Sequence, residues 1–212
     1  MEGLKMNILK TSEIKANPEI LRGFPRLAGW YKFWAKRKVV ELWLNDFPEI
    51  LEKLTKKEFF GETYYYVYVG ITRNESVENR LNWHINQQNT YQHIIVGTLS
   101  TLRVSVAALM YLQGRAPYSQ KATEEIMGDM VVEFEPFFEI RDAAGVAKVE
   151  EIERNEMANN VLILNIKGNH SKGCAEFKKS LKQARQRQNH SWNVTTARDY
   201  AGSWGHFIPE ED

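Results

Sequence analysis

Cysteine is nearly absent from this chain of 212 residues, in which Cys174 is the single one. A lone cysteine excludes an internal disulfide and a zinc site built from several thiolates. Long apolar runs are also missing: the longest, around Val104 to Leu112, is too short to cross a bilayer and contains Ser105. No basic segment followed by an apolar one opens the chain. We therefore expect a cytoplasmic protein without a membrane span.

Net charge is almost absent as well, because 28 lysines and arginines face 27 acidic residues. The charges are unevenly distributed, however. Residues 121–160 carry eleven acidic against four basic residues, whereas residues 166–190 carry seven basic residues against Glu176 alone. A total close to zero thus hides a basic segment that can attract phosphates. With 43% hydrophobic and 26% charged residues, the composition is otherwise that of an ordinary globular domain.

The clearest local pattern is a strand, a turn and a helix between residues 64 and 85. The strand has the period-2 alternation of a buried strand, with Tyr64, Tyr66 and Tyr68 alternating with Tyr65, Val67 and Val69. Gly70 ends the strand, and Asn74 and Ser76 are residue types that cap a following helix. On that helix Arg80 and His84 are four residues apart and share a face. The end of the strand therefore presents a phenol near a guanidinium and an imidazole, groups that activate a nucleophile and neutralise a phosphate.

These residues resemble the second half of the signature of the GIY-YIG nuclease superfamily, since Tyr68-Val69-Gly70 is followed by a turn and by Arg80-Leu81-Asn82-Trp83-His84. The first half of the signature is a Gly-x-Tyr element, which Gly29-Trp30-Tyr31 fits. The two elements lie further apart here than in most of the family. The apolar pattern between Lys38 and Lys57 predicts an inserted helix in the gap. Restriction-enzyme-like members of the family tolerate such insertions.

The family also has a helix with a lone metal-binding glutamate, followed by a short segment that ends in Leu-Asn. Here Val146 to Asn159 has a helical pattern, and Leu162-Ile163-Leu164-Asn165 follows it. Glu153 lies twelve residues before Asn165, which is the family's usual spacing. Glu150 and Glu156 lie within one turn of Glu153 and remain alternatives for the metal ligand.

The resemblance implies phosphodiester hydrolysis with one divalent cation, Mg²⁺ or Mn²⁺, on Glu153. Arg80 would stabilise charge on the phosphate, and His84 would assist as a proton relay or a phosphate ligand. Tyr68 or Tyr31 would orient or deprotonate the attacking water. A free phenol titrates near ~10, so the second role needs a depressed pKa or a helping neighbour. Three further residues are expected to support the site: Gly29, Gly70 and Asn165.

The predicted order of elements is strand, strand, helix, helix, strand, helix, with the third strand at Met130 to Ile140 and the helix before it at Thr98 to Leu112. This order indicates an α/β (α+β) fold with a small three-stranded sheet, mixed or antiparallel, flanked by helices as in the GIY-YIG family. Residues 1–25 are expected to form an N-terminal extension. Residues 26–170 would be the catalytic domain, with the insertion at about 38–60. Residues 171–212 would be a basic helix and an aromatic tail.

The basic helix is predicted at Cys174 to Gln188. Phe177, Leu181 and Ala184 have the spacing of a narrow apolar stripe, which leaves the basic side chains outward. A solvated surface helix has the same pattern, but in a nuclease phosphate contact is the better interpretation. The residues that we expect to contact nucleic acid are Lys172, Lys178, Lys179, Lys182 and Arg185.

The sequence thus predicts a metal-dependent endonuclease that acts on DNA, most simply duplex DNA, with a restriction-type enzyme as one form. The alternative is a GIY-YIG-like scaffold that binds nucleic acid or a partner protein without cutting. The presence of Tyr68, Arg80, His84 and a well-placed glutamate favours the enzyme. The sequence leaves open DNA or RNA, the cut site, a restriction, repair or mobile-element role, and a monomer or a homodimer.

Overall fold

Five strands form the sheet of this protein, whose computed structural model describes residues 6–87, 100–112, 120–166 and 172–191. The strands are β1 (Asn7–Lys10), β2 (Ala28–Lys36), β3 (Lys56–Phe59), β4 (Glu62–Ile71) and β5 (Val131–Phe138). All pairs are antiparallel, and the order across the sheet is β1-β5-β2-β4-β3.

Helices lie before, between and after the strands. Within the described residues they are α1 (Thr11–Ala16), α2 (Arg37–Trp43), α3 (Pro48–Leu51), α4 (Val77–Asn86), α5 (Thr101–Leu112), α6 (Gln120–Gly128), α7 (Ala143–Asn159) and α8 (Ala175–Ser191), with short 3₁₀ turns at Pro18–Gly23 and Lys172–Cys174. None of the helices in this part of the chain is long and apolar enough to cross a bilayer.

The expected mixed α/β class is confirmed, but the expected strand number is wrong. The two additional strands are β1, within the segment predicted as an N-terminal extension, and β3, within the predicted insertion. Each has four residues, too few for a period-2 pattern to distinguish it from a loop. The insertion contains two short helices and β3 in place of the single predicted helix, and α6 was not predicted at all.

A tight turn joins β3 to β4. Phe60 and Gly61 form the two-residue loop, and both have positive φ, 51° and 78°. Positive φ at both central positions is typical of a type I′ hairpin turn, whose twist matches that of the flanking strands. Gly61 adopts its positive φ without strain because it has no side chain, whereas Phe60 adopts its positive φ at some cost. The hairpin adds β3 to the first half of β4 alone.

A β-bulge in β4 changes which face its tyrosines occupy. Phe33 of β2 pairs with Tyr68, and Trp34 pairs with Tyr66, so Val67 is the extra residue. Before the bulge Tyr64 and Tyr66 belong to one core cluster, whereas Tyr68 belongs to the cluster on the opposite face. The strict alternation expected from the sequence is therefore wrong at this point. A bulge is a common way to redirect a side chain beside a functional site.

The two faces of the sheet are covered differently. The larger core cluster lies on the face of Tyr31 and Phe33 and includes residues of every helix except α7. The opposite face carries Trp30, which packs with Val149 of α7. The sheet curls toward that face, because Lys57 of β3 reaches Glu133 of β5 across two intervening strands, with 2.5 Å between Nζ and Oε1. The predicted aromatic tail, residues 192–212, lies outside the described residues.

Candidate active site

Tyr31 lies on β2 directly opposite Gly70 of β4. Its ring covers the glycine so closely that a Cβ on Gly70 would stand 2.3 Å from the Tyr31 Cζ and Oη atoms. No side chain fits there, and Gly70 thus keeps open the space that the Tyr31 phenol fills. Gly70 is paired within β4, which continues to Ile71, so its reason is packing and not a turn.

The bulge at Val67 brings Tyr68 to the same side of the sheet as Tyr31. The two rings are stacked, with 6.4 Å between centroids and 26° between planes. The Tyr68 hydroxyl lies 3.4 Å from Thr101 Oγ1 at the start of α5. Two phenols from neighbouring strands are therefore held side by side, one of them against a helix that comes later in the sequence.

Helix α4 adds His84 to this pair. Its first turn is capped by Ser76, whose hydroxyl accepts from the Asn79 amide, as the sequence predicts. His84 is almost fully buried, and its Nε2 lies 2.7 Å from the Tyr31 hydroxyl. Its Nδ1 lies 2.5 Å from Ser100 Oγ. Both ring nitrogens are engaged within the protein, so His84 has no nitrogen left for a phosphate.

Arg80 lies one turn before His84 and is partly open to solvent, with 31% of its side chain exposed. Its guanidinium forms an ion pair with Glu75 and lies over the Trp83 ring, 4.7 Å from the centroid. Nε is buried and has no hydrogen-bond partner among the described residues. The guanidinium is close enough to the phenols for its charge to lower the pKa of both Tyr31 and Tyr68.

The three glutamates of α7 differ in their partners. Glu150 pairs with Arg73, 2.9 Å between Oε1 and Nε, and Glu156 pairs with Lys32, 2.7 Å between Oε1 and Nζ. Glu153 has no ion pair or hydrogen bond within the described part of the chain. Its charge raises the pKa of both Tyr31 and Tyr68, so the carboxylate lies within electrostatic range of the phenol pair.

Burial dominates the protonation of the site. It raises the pKa of Tyr31 well above the usual value and also raises the pKa of Tyr68. It lowers the pKa of His84 well below the usual value, with Arg80 and Arg103 adding to the effect. Burial also raises the pKa of Glu153; Arg73 opposes that shift. The phenols and the imidazole are therefore neutral near pH 7. Neither phenol has the depressed pKa that would let it act as a general base in the substrate-free protein.

Asn165 supports the site through the backbone of β4. Because β3 pairs only with the first half of β4, the second half has an open edge. Leu164 donates its amide to the Val67 carbonyl at 3.0 Å. The Asn165 side chain accepts from the Val69 amide at 2.9 Å and donates to the Val69 carbonyl at 2.8 Å. This segment thus closes the strand edge beside Tyr68.

Gly29, the glycine of the Gly-x-Tyr element on β2, also has a packing role. A Cβ on Gly29 would lie 1.9 Å from the Glu135 carbonyl oxygen, so no side chain fits there.

Helix α8 has the predicted apolar stripe, with Phe177, Leu181 and Ala184 all buried. It packs on α5, and Phe177 meets the Phe47 ring of the insertion edge to face. Lys179 and Lys182 are exposed, whereas Lys178 and Arg185 are partly buried; the Lys172 side chain lies outside the described set. The structure brings Tyr31, Tyr68, Arg80 and His84 together, with Glu153 within electrostatic range of the phenols.

Sequence reasoning missed three residues that contact the site. Glu75 pairs with Arg80, Ser100 contacts His84, and Thr101 contacts Tyr68. Ser100 carried a signal, because a serine directly before an apolar helix is a typical N-cap. Glu75 and Thr101 had none, since their partners are set by tertiary packing.

The GIY-YIG catalytic domain is the family whose model matches this chain, over residues 29–187 of 212. The match spans both tyrosine strands, α4, α5 and α7. The chain therefore belongs to the GIY-YIG family, as the resemblance at the sequence level indicated. No curated protein and no solved structure matches it.

Proposed function

We propose that this protein is an endonuclease that hydrolyses phosphodiester bonds in DNA with one divalent cation, Mg²⁺ or Mn²⁺. The observation that carries the proposal is a pair of stacked, buried phenols in a GIY-YIG domain, with the Arg80 guanidinium and the Glu153 carboxylate within electrostatic range of both. A nuclease-type function follows from the family. The metal, the duplex substrate and the individual roles are the proposal.

Glu153 has the properties expected of the metal ligand. It is partly buried and unpaired among the described residues, while Glu150 and Glu156 are neutralised by Arg73 and Lys32. No cluster of three or more His, Cys, Asp or Glu side chains occurs in the described ranges. Mg²⁺ is commonly held by one or two carboxylates, several waters and substrate phosphates, which fits a single glutamate. When bound, such an ion neutralises the scissile phosphate and the leaving oxygen.

Arg80 is proposed to hold the non-bridging oxygens of the phosphate. A guanidinium offers several N–H donors in a planar fork that matches phosphate geometry. Its contacts with Glu75 and Trp83 fix the plane of the fork, and Nε has no acceptor in the described structure. A phosphate oxygen can accept hydrogen bonds from the guanidinium N–H groups that do not contact Glu75. Arg80 then acts most strongly where negative charge develops in the transition state.

The phenols are proposed to position the attacking water. Both are protonated near neutral pH, so each can donate or accept a hydrogen bond to a water molecule as it stands. A phenol becomes a base only when further positive charge favours its ionised form, and Arg80 already acts in that direction. The almost fully buried His84 holds the Tyr31 hydroxyl through Nε2.

DNA is proposed to gain sequence-independent affinity from the basic helix α8. Its buried stripe fixes the helix to the body, and Lys179 and Lys182 extend outward. Each phosphate that a lysine or arginine neutralises releases condensed counterions, so log K falls with log salt by about 0.9 per contact on B-DNA. A restriction-type role is a finer proposal, which a methyltransferase gene beside this one would support.

The test is cleavage of duplex DNA by the purified protein with Mg²⁺ or Mn²⁺. We expect cleavage that stops on addition of EDTA and returns when the cation is restored in excess. Glu153→Gln should be inactive, whereas Glu151→Gln, which changes an exposed glutamate on the same helix, should cut normally. If the folded wild type cleaves neither DNA nor RNA with either cation, the noncutting scaffold becomes the better interpretation.

A further inference from the structure

Ser100 is a buried hydroxyl that the proposed chemistry leaves without a role. It lies directly before α5, is 0% exposed, and its Oγ is 2.5 Å from His84 Nδ1. His84 Nε2 in turn lies 2.7 Å from the Tyr31 hydroxyl. Ser100, His84 and Tyr31 therefore form a continuous chain of hydrogen bonds that ends at a phenol of the active site.

The capping geometry of α5 gives this chain a direction. Ser100 Oγ accepts from the Arg103 backbone amide at 3.2 Å, which is the N-cap contact of the helix. A hydroxyl has one hydrogen to donate, and within the described residues its one acceptor is His84 Nδ1. A nitrogen that accepts this hydrogen carries no proton of its own. In a neutral imidazole the proton is then on Nε2, which donates to the Tyr31 oxygen.

Arg103 fixes the distance between the two helices that this chain joins. Its side chain is fully buried, and Nη1 donates to the His84 carbonyl at 3.2 Å and to the Ile85 carbonyl at 3.0 Å. Nη2 pairs with Glu124 of α6. The end of α4 is thereby tied to the start of α5. The buried positive charge also helps to keep the imidazole neutral, because it lowers the pKa of His84 along with burial and Arg80.

We propose that Ser100 is a positioning residue that holds His84 as the Nε2–H tautomer, so that His84 donates a hydrogen bond to the Tyr31 oxygen and does not take the Tyr31 proton. In this arrangement the hydroxyl hydrogen of Tyr31 is directed into the site, on the side of Tyr68. By donating a hydrogen bond to the Tyr31 oxygen, His84 favours the ionised form of Tyr31. The catalytic consequence rests on the proposed nuclease function, but the tautomer does not.

The decisive measurement is the imidazole ¹⁵N NMR spectrum, which distinguishes the two neutral tautomers through the different shifts of Nδ1 and Nε2. His84→Gln identifies the His84 signals by their loss. We expect the Nε2–H pattern in the wild type and in Ser100→Thr, which keeps the hydroxyl. Ser100→Gly removes the hydroxyl but remains an accepted N-cap, so the helix loses little stability. In this variant we expect averaged or reversed shifts. Ser105→Ala, a buried serine of the same helix, should leave them unchanged.

Kinetics supply the second readout. Ser100→Gly should lower kcat by about 10- to 100-fold, the range expected when a catalytic group loses its orientation, with KM for DNA unchanged. Ser100→Thr should restore most of kcat. A wild-type spectrum with the Nδ1–H pattern overturns the proposal, as does an Nε2–H pattern that persists in Ser100→Gly. If the wild type fails to cleave any substrate, the nuclease assignment fails, and the spectrum alone decides the role of Ser100.

Discussion

Removing the charge of Glu153 should make the cation-free protein more stable. Burial raises the pKa of this carboxyl; Arg73 and Arg154 only partly oppose the shift, and no direct ion pair forms with it among the described residues. The folded state therefore binds the Glu153 proton more tightly than the unfolded state does. As pH rises from the unfolded value through the folded one, ionisation lowers the free energy of unfolding, and above the folded value the full loss is present. Glu153→Gln is nearly isosteric and eliminates that loss.

The expected gain in the free energy of unfolding follows from the removal of one unfavourable charge. Relief of one unfavourable charge is worth on the order of 1 kcal/mol. For a chain of this length that raises Tm by about 2–4 °C in cation-free buffer. The matched control is Glu156→Gln, which leaves Lys32 unpaired with only 15% of its side chain exposed. Loss of that partner should be destabilising by about 1–3 kcal/mol.

Thermal unfolding with and without cation completes the prediction. At ten times Kd, Mg²⁺ or Mn²⁺ should stabilise the wild type by about 1.4 kcal/mol, since only the folded state holds the site. Glu153→Gln should lose this shift, and Glu150→Gln should retain it. The reasoning is refuted if Glu153→Gln melts no higher than the wild type in EDTA and still responds to the cation. A response lost instead in Glu150→Gln would move the ligand by one helical turn.

Three further predictions concern the phenol pair, His84 and the basic helix. Gly70→Ala should lower the free energy of unfolding by about 1–3 kcal/mol, because the new Cβ collides with the Tyr31 ring. Gly128→Ala is the control and should change little, since nothing lies within 4 Å of its new Cβ; equal Tm values for the two variants would contradict the prediction. Because the pKa of His84 is depressed in the folded state, unfolding takes up a proton below pH 6.5. Between pH 6.5 and 4.5 the free energy of unfolding should therefore fall more steeply in the wild type than in His84→Gln, by up to about 1.4 kcal/mol per pH unit. Urea titrations that give the same pH dependence for both proteins would exclude this prediction. A variant with alanine in place of three lysines of the basic helix should bind all DNA sequences more weakly, with a salt slope flatter by up to about three units; an unchanged slope in a folded variant would show that DNA binds elsewhere. These lysines are Lys178, Lys179 and Lys182.

The sequence predicted those parts of the site that depend on local patterns. The strand that carries Tyr68 and Gly70 follows from period-2 alternation, and the helix that carries Arg80 and His84 follows from its N-cap; both lie where they were expected, although the strand runs one residue further, to Ile71. Two strands were missed because four residues carry too little periodicity. The bulge at Val67 was missed for a different reason: one unpaired residue leaves no mark in a uniformly hydrophobic strand.

The choice among the glutamates of α7 could not be made from local sequence. All three lie within two turns of one helix, and they differ only in their partners. Those partners, Arg73 and Lys32, are distant in sequence and are brought to α7 by the fold. Spacing from Asn165 favoured Glu153, and the lack of a direct ion pair on it within the described residues now favours the same residue for a physical reason.

The most direct test of the account is the rate of cation-dependent DNA cleavage in Arg80→Ala, measured in single turnover with enzyme in excess. We expect a loss of about 100- to 1,000-fold, typical for removal of a group that stabilises transition-state charge, with Tm and DNA affinity nearly unchanged. Arg37→Ala, which removes an exposed arginine paired with Glu41, is the matched control and should cut at the wild-type rate. Wild-type cleavage by a folded Arg80→Ala variant would contradict the assignment of this cluster as the catalytic site.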